Sequence, residues 1–134
     1  MKKSLFLSLI LALGTTVNAA PQVVTPDSLT WTDSKDLSGS KVAVLAGSPQ
    51  KHEAFVARVK LPANFQVPLH THAIVENDTV ISGTLNIKVG TQDLVLHAGD
   101  FISIPAHVSH SSTTTEETVL QINGVGPWGM IYKK

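Results

Sequence analysis

The feature that most constrains this chain is the run from Pro68 to Gly83, PLHTHAIVENDTVISG, which sets His70, His72 and Glu76 at even spacing among residues that favour a strand. In extended backbone successive side chains alternate between faces, so positions i, i+2 and i+6 share one face unless a bulge intervenes. Two imidazoles and a carboxylate on one face suggest a divalent transition metal. Neutral imidazole nitrogens and carboxylate oxygens suit Mn, Fe, Ni, Cu or Zn, and a chain without Cys offers no thiolate site. A fourth donor is available at His110, in the stretch GDFISIPAHVSHS that begins at Gly99. There Gly99 and Pro105 read as turn markers around a short apolar strand, Phe101 to Ile104.

The rest of the chain reads as strand and turn. Val42 to Ala46 is a short Val-rich run closed by Gly47, Ser48 and Pro49. Phe55 to Leu61 alternates, with Phe55, Ala57, Val59 and Leu61 on one face. Leu85, Ile87 and Val89 alternate with polar residues from Thr84 onwards, and Gly90 with Thr91 turns the chain into Asp93 to Leu96, a hairpin. Thr118 to Asn123 is a further strand, and the glycine-punctuated tail GVGPWGMIYKK holds a final edge, Met130 to Tyr132. About ten short strands separated by turn residues describe an all-β, antiparallel sandwich or barrel. Pattern alone does not separate a jelly roll from an immunoglobulin-like sandwich, although the missing Cys pair argues against the latter.

The segment from His70 to Gly83 resembles the first cupin motif, His-x-His, three residues, Glu, six residues, Gly, with Asn64 where that motif has a leading Gly. Gly99, Pro105 and His110 stand at the spacing of the second motif, with His107 in place of its Gly and Thr114 in place of its terminal Asn. The resemblance covers residues 23 to 132 and is to small secreted single-domain cupins. It implies an antiparallel double-stranded β-helix, the jelly-roll cupin barrel, with one divalent transition metal held by His70, His72, Glu76 and His110. None of these three departures touches a ligand.

The first residues, MKKSLFLSLILALGTTVNAA, have Lys2 and Lys3, an apolar run from Leu5 to Leu13, and small residues before a cut after Ala19. We therefore expect a signal peptide over 1–19, an extended segment over 20–40 that wraps the barrel, and the barrel domain over 41–134. The apolar run is too short to anchor the chain in a bilayer, and the absence of Cys removes the residue on which bacterial lipoproteins are acylated. The expected location is the periplasm or outside the cell, with no membrane partner. Removing Lys2 and Lys3 leaves eight basic residues against ten acidic ones. With no basic run or aromatic stripe, nucleic acid is not an expected partner. Sheet edges at the amino-terminal segment and the tail suggest a homodimer.

Several residues keep two readings. Asp78 shares the parity of Glu76, so it either enters the cavity as a substrate-binding acid or is turned to solvent by a bulge. Gln121 is a substrate-binding candidate if it faces the cavity; in the other reading Leu120 and Ile122 face in and the amide is wet. His107 reads as a turn residue near the site mouth or as a proton shuttle, and His52 and His97 as exposed turn residues. Trp31 reads as an anchor for the wrapping segment. No catalytic residue is assigned.

Three functions fit: a metal-dependent enzyme on a small organic molecule, with dioxygenase, isomerase or decarboxylase chemistry; a non-catalytic metal-bearing protein that binds a small ligand or carbohydrate; and a metal-free structural module.

Overall fold

The computed structural model describes residues 20–133, so the expected signal peptide over 1–19 lies outside the described residues. A single 3-10 turn at Pro26–Ser28 precedes eleven strands. These are β1 (Thr32–Asp33), β2 (Lys41–Ala46), β3 (Ala54–Leu61), β4 (Gln66–Thr71), β5 (Glu76–Ser82), β6 (Thr84–Val89), β7 (Gln92–His97), β8 (Phe101–Ile104), β9 (His110–Thr114), β10 (Thr118–Val125) and β11 (Ile131–Tyr132). They form two antiparallel sheets, ordered β1-β2-β3-β10-β5-β8 and β11-β4-β9-β6-β7, as a jelly roll requires. No helix among the described residues is long and apolar enough to cross a membrane.

Alternation explains the core. On β3, Phe55, Ala57, Val59 and Leu61 are buried while the residues between them are partly wet, and β5 buries Glu76, Asp78 and Val80 by the same rule. Leu120 and Ile122 of β10 and Leu85 and Ile87 of β6 fill the space between the sheets. On β4 the alternation breaks: Val67 and His70, of opposite parity, are both buried. The pairing of β4 with β9 shifts register between these two residues, and this irregularity lets both face inward.

The wrapping segment is anchored at three places. β1 pairs with β2, Leu37 enters the core, and the Lys60 ammonium lies 4.6 Å from the centroid of the Trp31 ring. The tail strand β11 pairs with β4 of its own chain, Tyr132 opposite His70, and so covers the edge nearest the histidines.

Both positions where a motif glycine is replaced have left-handed backbone, φ 55° at Asn64 and φ 65° at His107. The His107 N–H donates to the carbonyl of His72 at 2.8 Å, which ties the second motif to the first. Strand β9 starts three residues further on, at His110.

Candidate metal centre

Both sheets contribute to one polar cluster at an end of the apolar core. β4 brings His70, the residues just beyond it bring His72, β9 opens on His110, and β5 on the facing sheet opens on Glu76. All four are buried. One ring nitrogen from each histidine lies within 4.8 Å of the other two. His70 Nε2 is 3.1 Å from His72 Nε2. Glu76 Oε2 is 3.0 Å from His72 Nε2 and 3.3 Å from His110 Nε2.

The other nitrogen of each ring is already engaged. His70 Nδ1 pairs with the carbonyl of Pro68 at 2.7 Å, His72 Nδ1 with that of Gly129 at 2.7 Å, and His110 Nδ1 with that of Val108 at 3.0 Å. A carbonyl only accepts, so each Nδ1 carries the proton, and in the neutral ring Nε2 is left as a lone pair. Three lone pairs and a carboxylate oxygen then converge with nothing but one another to face. Two imidazole lone pairs at 3.1 Å repel unless a proton or a cation lies among them. The donor set fits a divalent transition metal on that ground, with each imidazole oriented by a backbone carbonyl as metal-ligating histidines commonly are.

The electrostatics follow from burial and proximity. Burial drives the His70 pKa down to about 4, against the upward pull of the Pro68 carbonyl. Burial also works against a charged His72, but the hydrogen bond and charge of Glu76, with the Gly129 carbonyl, carry it above its ordinary value. Glu76 is itself buried, which would raise it, yet in the metal-free protein the hydrogen bonds that protonated His110 and His72 rings donate from Nε2 hold it below the usual carboxylate range. Asp78 has no such partner. It is buried, Oδ1 has no hydrogen bond among the described residues, and burial followed by the charge of Glu76 pushes its pKa well up.

A cavity of about 60 Å³ lies against this cluster. The donors and Asp78 line it together with apolar side chains such as Val59, Leu85 and Ile122, and Trp128 and Met130 from the tail. Asp78 thus faces inward, because β5 pairs with β8 in unbroken register from Glu76 to Thr79 and no bulge turns it out. The expectation for Gln121 is corrected. Its Oε1 accepts from Arg58 Nε at 3.3 Å, while its neighbours Leu120 and Ile122 line the cavity, so Gln121 lies on the other face of β10, away from the cavity. His107 is exposed and does not line the cavity, as a turn residue would be, and His52 and His97 are exposed too.

Trp128 was not legible as a site residue. Its indole N–H donates to Glu76 Oε1 at 3.1 Å, and its ring stacks on His72 with centroids 6.0 Å apart and 22° between planes. The hint in the sequence was an indole in a tail full of glycines, in a chain with only two Trp.

Two sheets closed over a His-and-Glu cluster define a cupin-type domain. Residues 57–122 match the family described as Cupin domain. In fold it is similar to an RmlC-like cupin from Shewanella frigidimarina, at 20% identity and TM-score 0.66 over 79% of this chain and 91% of that one. It is likewise similar to KdgF from Halomonas sp., at 17% identity and TM-score 0.66 over 80% and 96% of the two chains. The polyketide cyclase RemF from Streptomyces resistomycificus aligns with TM-score 0.70 at 13% identity, over 86% and 88%. At these identities the likeness is one of fold. No curated protein matches the chain by sequence.

Proposed function

We propose that this chain holds one divalent transition metal (Fe, Mn, Ni, Cu or Zn) between His70, His72, Glu76 and His110 and acts there on a small organic molecule by dioxygenase, isomerase or decarboxylase chemistry. The observation that supports this reading is the engagement of all three Nδ1 atoms by backbone carbonyls, which leaves Nε2 of His72 and His110 facing Glu76 Oε2 and Nε2 of His70 facing that of His72. When bound, the ion would supply Lewis-acid or redox chemistry to a substrate's oxygen atoms. The chain's own part is to orient and to exclude water. The apolar lining shields the reacting centre, and a cavity of about 60 Å³ admits only a small molecule or the end of a larger one. Asp78, inside the same cavity with an unpartnered oxygen, is placed to hydrogen-bond a ligand. That one fold neighbour is a polyketide cyclase is compatible with a small organic substrate.

A second reading, capture of a small ligand or carbohydrate without turnover, is favoured by the scarcity of proton-transfer groups: beyond the donors, the titratable residues lining the cavity are Asp78 and Asp36. The test is elemental analysis of protein purified from its native compartment, followed by spectral titration of each metal form with oxygen-chelating compounds. Stoichiometric metal with product formation supports the enzyme, and spectral change without product supports capture. Protein that takes up no metal at any pH near neutral sinks both.

We further propose export and self-association. The leader at 1–19 supports the first, and intact Met1 in the mass of the cell-purified protein would refute it. Exposed Phe101 on edge strand β8 supports a homodimer, which a monomeric mass by light scattering would exclude.

A further inference from the structure

Two successive tail residues each restrain a different donor. Trp128 Nε1–H donates to Glu76 Oε1 at 3.1 Å, and the carbonyl of Gly129 accepts from His72 Nδ1 at 2.7 Å. The tail is fixed in turn: Gly126 N–H donates to the carbonyl of Glu53 at 2.9 Å, Trp128 N–H to that of Pro49 at 2.6 Å, and β11 pairs with β4. The indole packs against Phe55 and His72, with centroids 6.0 Å apart in each case. It is a rigid side chain with two torsions, so packing against these two rings restricts the direction of its N–H.

A carboxylate offers two oxygens, and here they are assigned separately. Oε1 is taken by the indole, and Oε2 faces His72 and His110. We propose that Trp128 is a positioning residue that restricts Glu76 to single-oxygen ligation, and thereby sets metal affinity and preserves a position at which a ligand binds. This rests on the metal-site reading above. Without the indole N–H, the carboxylate is free to rotate and present both oxygens, and the orientation of the donor is no longer fixed before the ion arrives.

The experiment compares the native full-length chain with Trp128→Phe, which keeps a six-membered aromatic ring at that position and loses the donor together with the five-membered ring that carries it. Metal affinity, measured by competition with a chromogenic chelator, is expected to fall about 10–100-fold, the usual effect of removing a group that orients a ligand. The Co(II) visible spectrum should change, and its response to azide, as a probe of the open position, should weaken. Unchanged affinity together with an unchanged azide response overturns the inference while leaving the metal site standing. No metal uptake by the native chain overturns both. Should Trp128→Phe fail to fold, the indole N–H resonance of the native protein decides: it must move in Glu76→Gln and in a stoichiometric step on Zn(II) addition, and a resonance indifferent to both refutes the assignment.

Discussion

Asp78 stands two residues beyond Glu76 on the inward face of β5, and the two carboxylates have opposite surroundings. Glu76 has Trp128, His72 and His110 around its oxygens, whereas Asp78 Oδ1 has no partner among the described residues. The pKa of Asp78 is raised in the fold, so its stability contribution is lost as pH climbs from the unfolded value, about 3.9, toward the folded one. Asp78→Asn, which carries no charge to bury, should be more stable than the native metal-free protein by about 1–3 kcal/mol at pH 7. Urea unfolding of both proteins from pH 4 to 7 checks this: the gap should widen with pH, and parallel curves would mean that Asp78 has a partner in solution.

His70 gives a pH dependence of the other sign. A histidine held down to about 4 by burial stays neutral in the fold while the unfolded chain protonates near 6.5. Its stability is present above pH 6.5 and is lost as pH falls toward 4. Melting temperatures of the metal-free protein should drop across that window, with a shallower slope in His70→Gln. His72, raised chiefly by Glu76 against the effect of burial, adds stability below pH 6.5 that fades as pH rises through its folded value. A slope in His70→Gln equal to that of the native chain would remove His70 as the source.

The left-handed backbone at Asn64 and His107 bears on stability at the two positions where a motif glycine is replaced. A non-glycine residue there costs about 1–2 kcal/mol, less for Asn. His107→Gly should therefore hold or raise stability by up to about 1 kcal/mol, because its backbone N–H to His72 is kept. Gly83→Ala should do the reverse. Gly83 has φ 80°, and an added Cβ would lie 2.5 Å from the carbonyl oxygen of Glu117, so a loss of more than about 2 kcal/mol is expected. Chemical denaturation of both variants measures these differences, and a stable Gly83→Ala would contradict a left-handed backbone packed against Glu117 at that turn.

How far such features can be read without coordinates depends on how local they are. Alternation along β3, β5 and β6 was legible because each strand buries one face, but shared parity on one strand is not what joins the donors: His70 lies on β4, His72 just beyond it, and Glu76 on β5 of the facing sheet. The inward turn of Asp78 is not decided by parity, since only its pairing with β8 shows that no bulge interrupts β5. Gln121 belongs to a strand on which either pair of residues was chemically able to face in. The burial of Leu120 and Ile122 decides it, and burial is a property of the neighbouring strands. Trp128 was out of reach for the same reason at longer range: 52 residues separate it from the carboxylate it bonds.

The chemistry is expected at the four donors and at no protein nucleophile. Ser112 lines the cavity, but no imidazole of the cluster is left to activate it: His110 has Nδ1 on the Val108 carbonyl and Nε2 on Glu76, and His70 and His72 are engaged at both nitrogens. Among the described residues a serine nucleophile is therefore not assembled, and the chain has no Cys to take its place. Single His→Ala changes at 70, 72 or 110 should lower metal content while the fold, whose core of Phe55, Leu61, Leu85 and Ile122 is apolar, persists by circular dichroism. Turnover of a screened substrate should vanish with chelator and return with one metal in preference to the others. A reaction that proceeds under air and stops under nitrogen would be dioxygenation, and one indifferent to oxygen would be isomerisation or decarboxylation. Turnover that survives in demetallated protein, or in the folded double variant His70→Ala with His72→Ala, would show that the reacting group lies elsewhere in the chain.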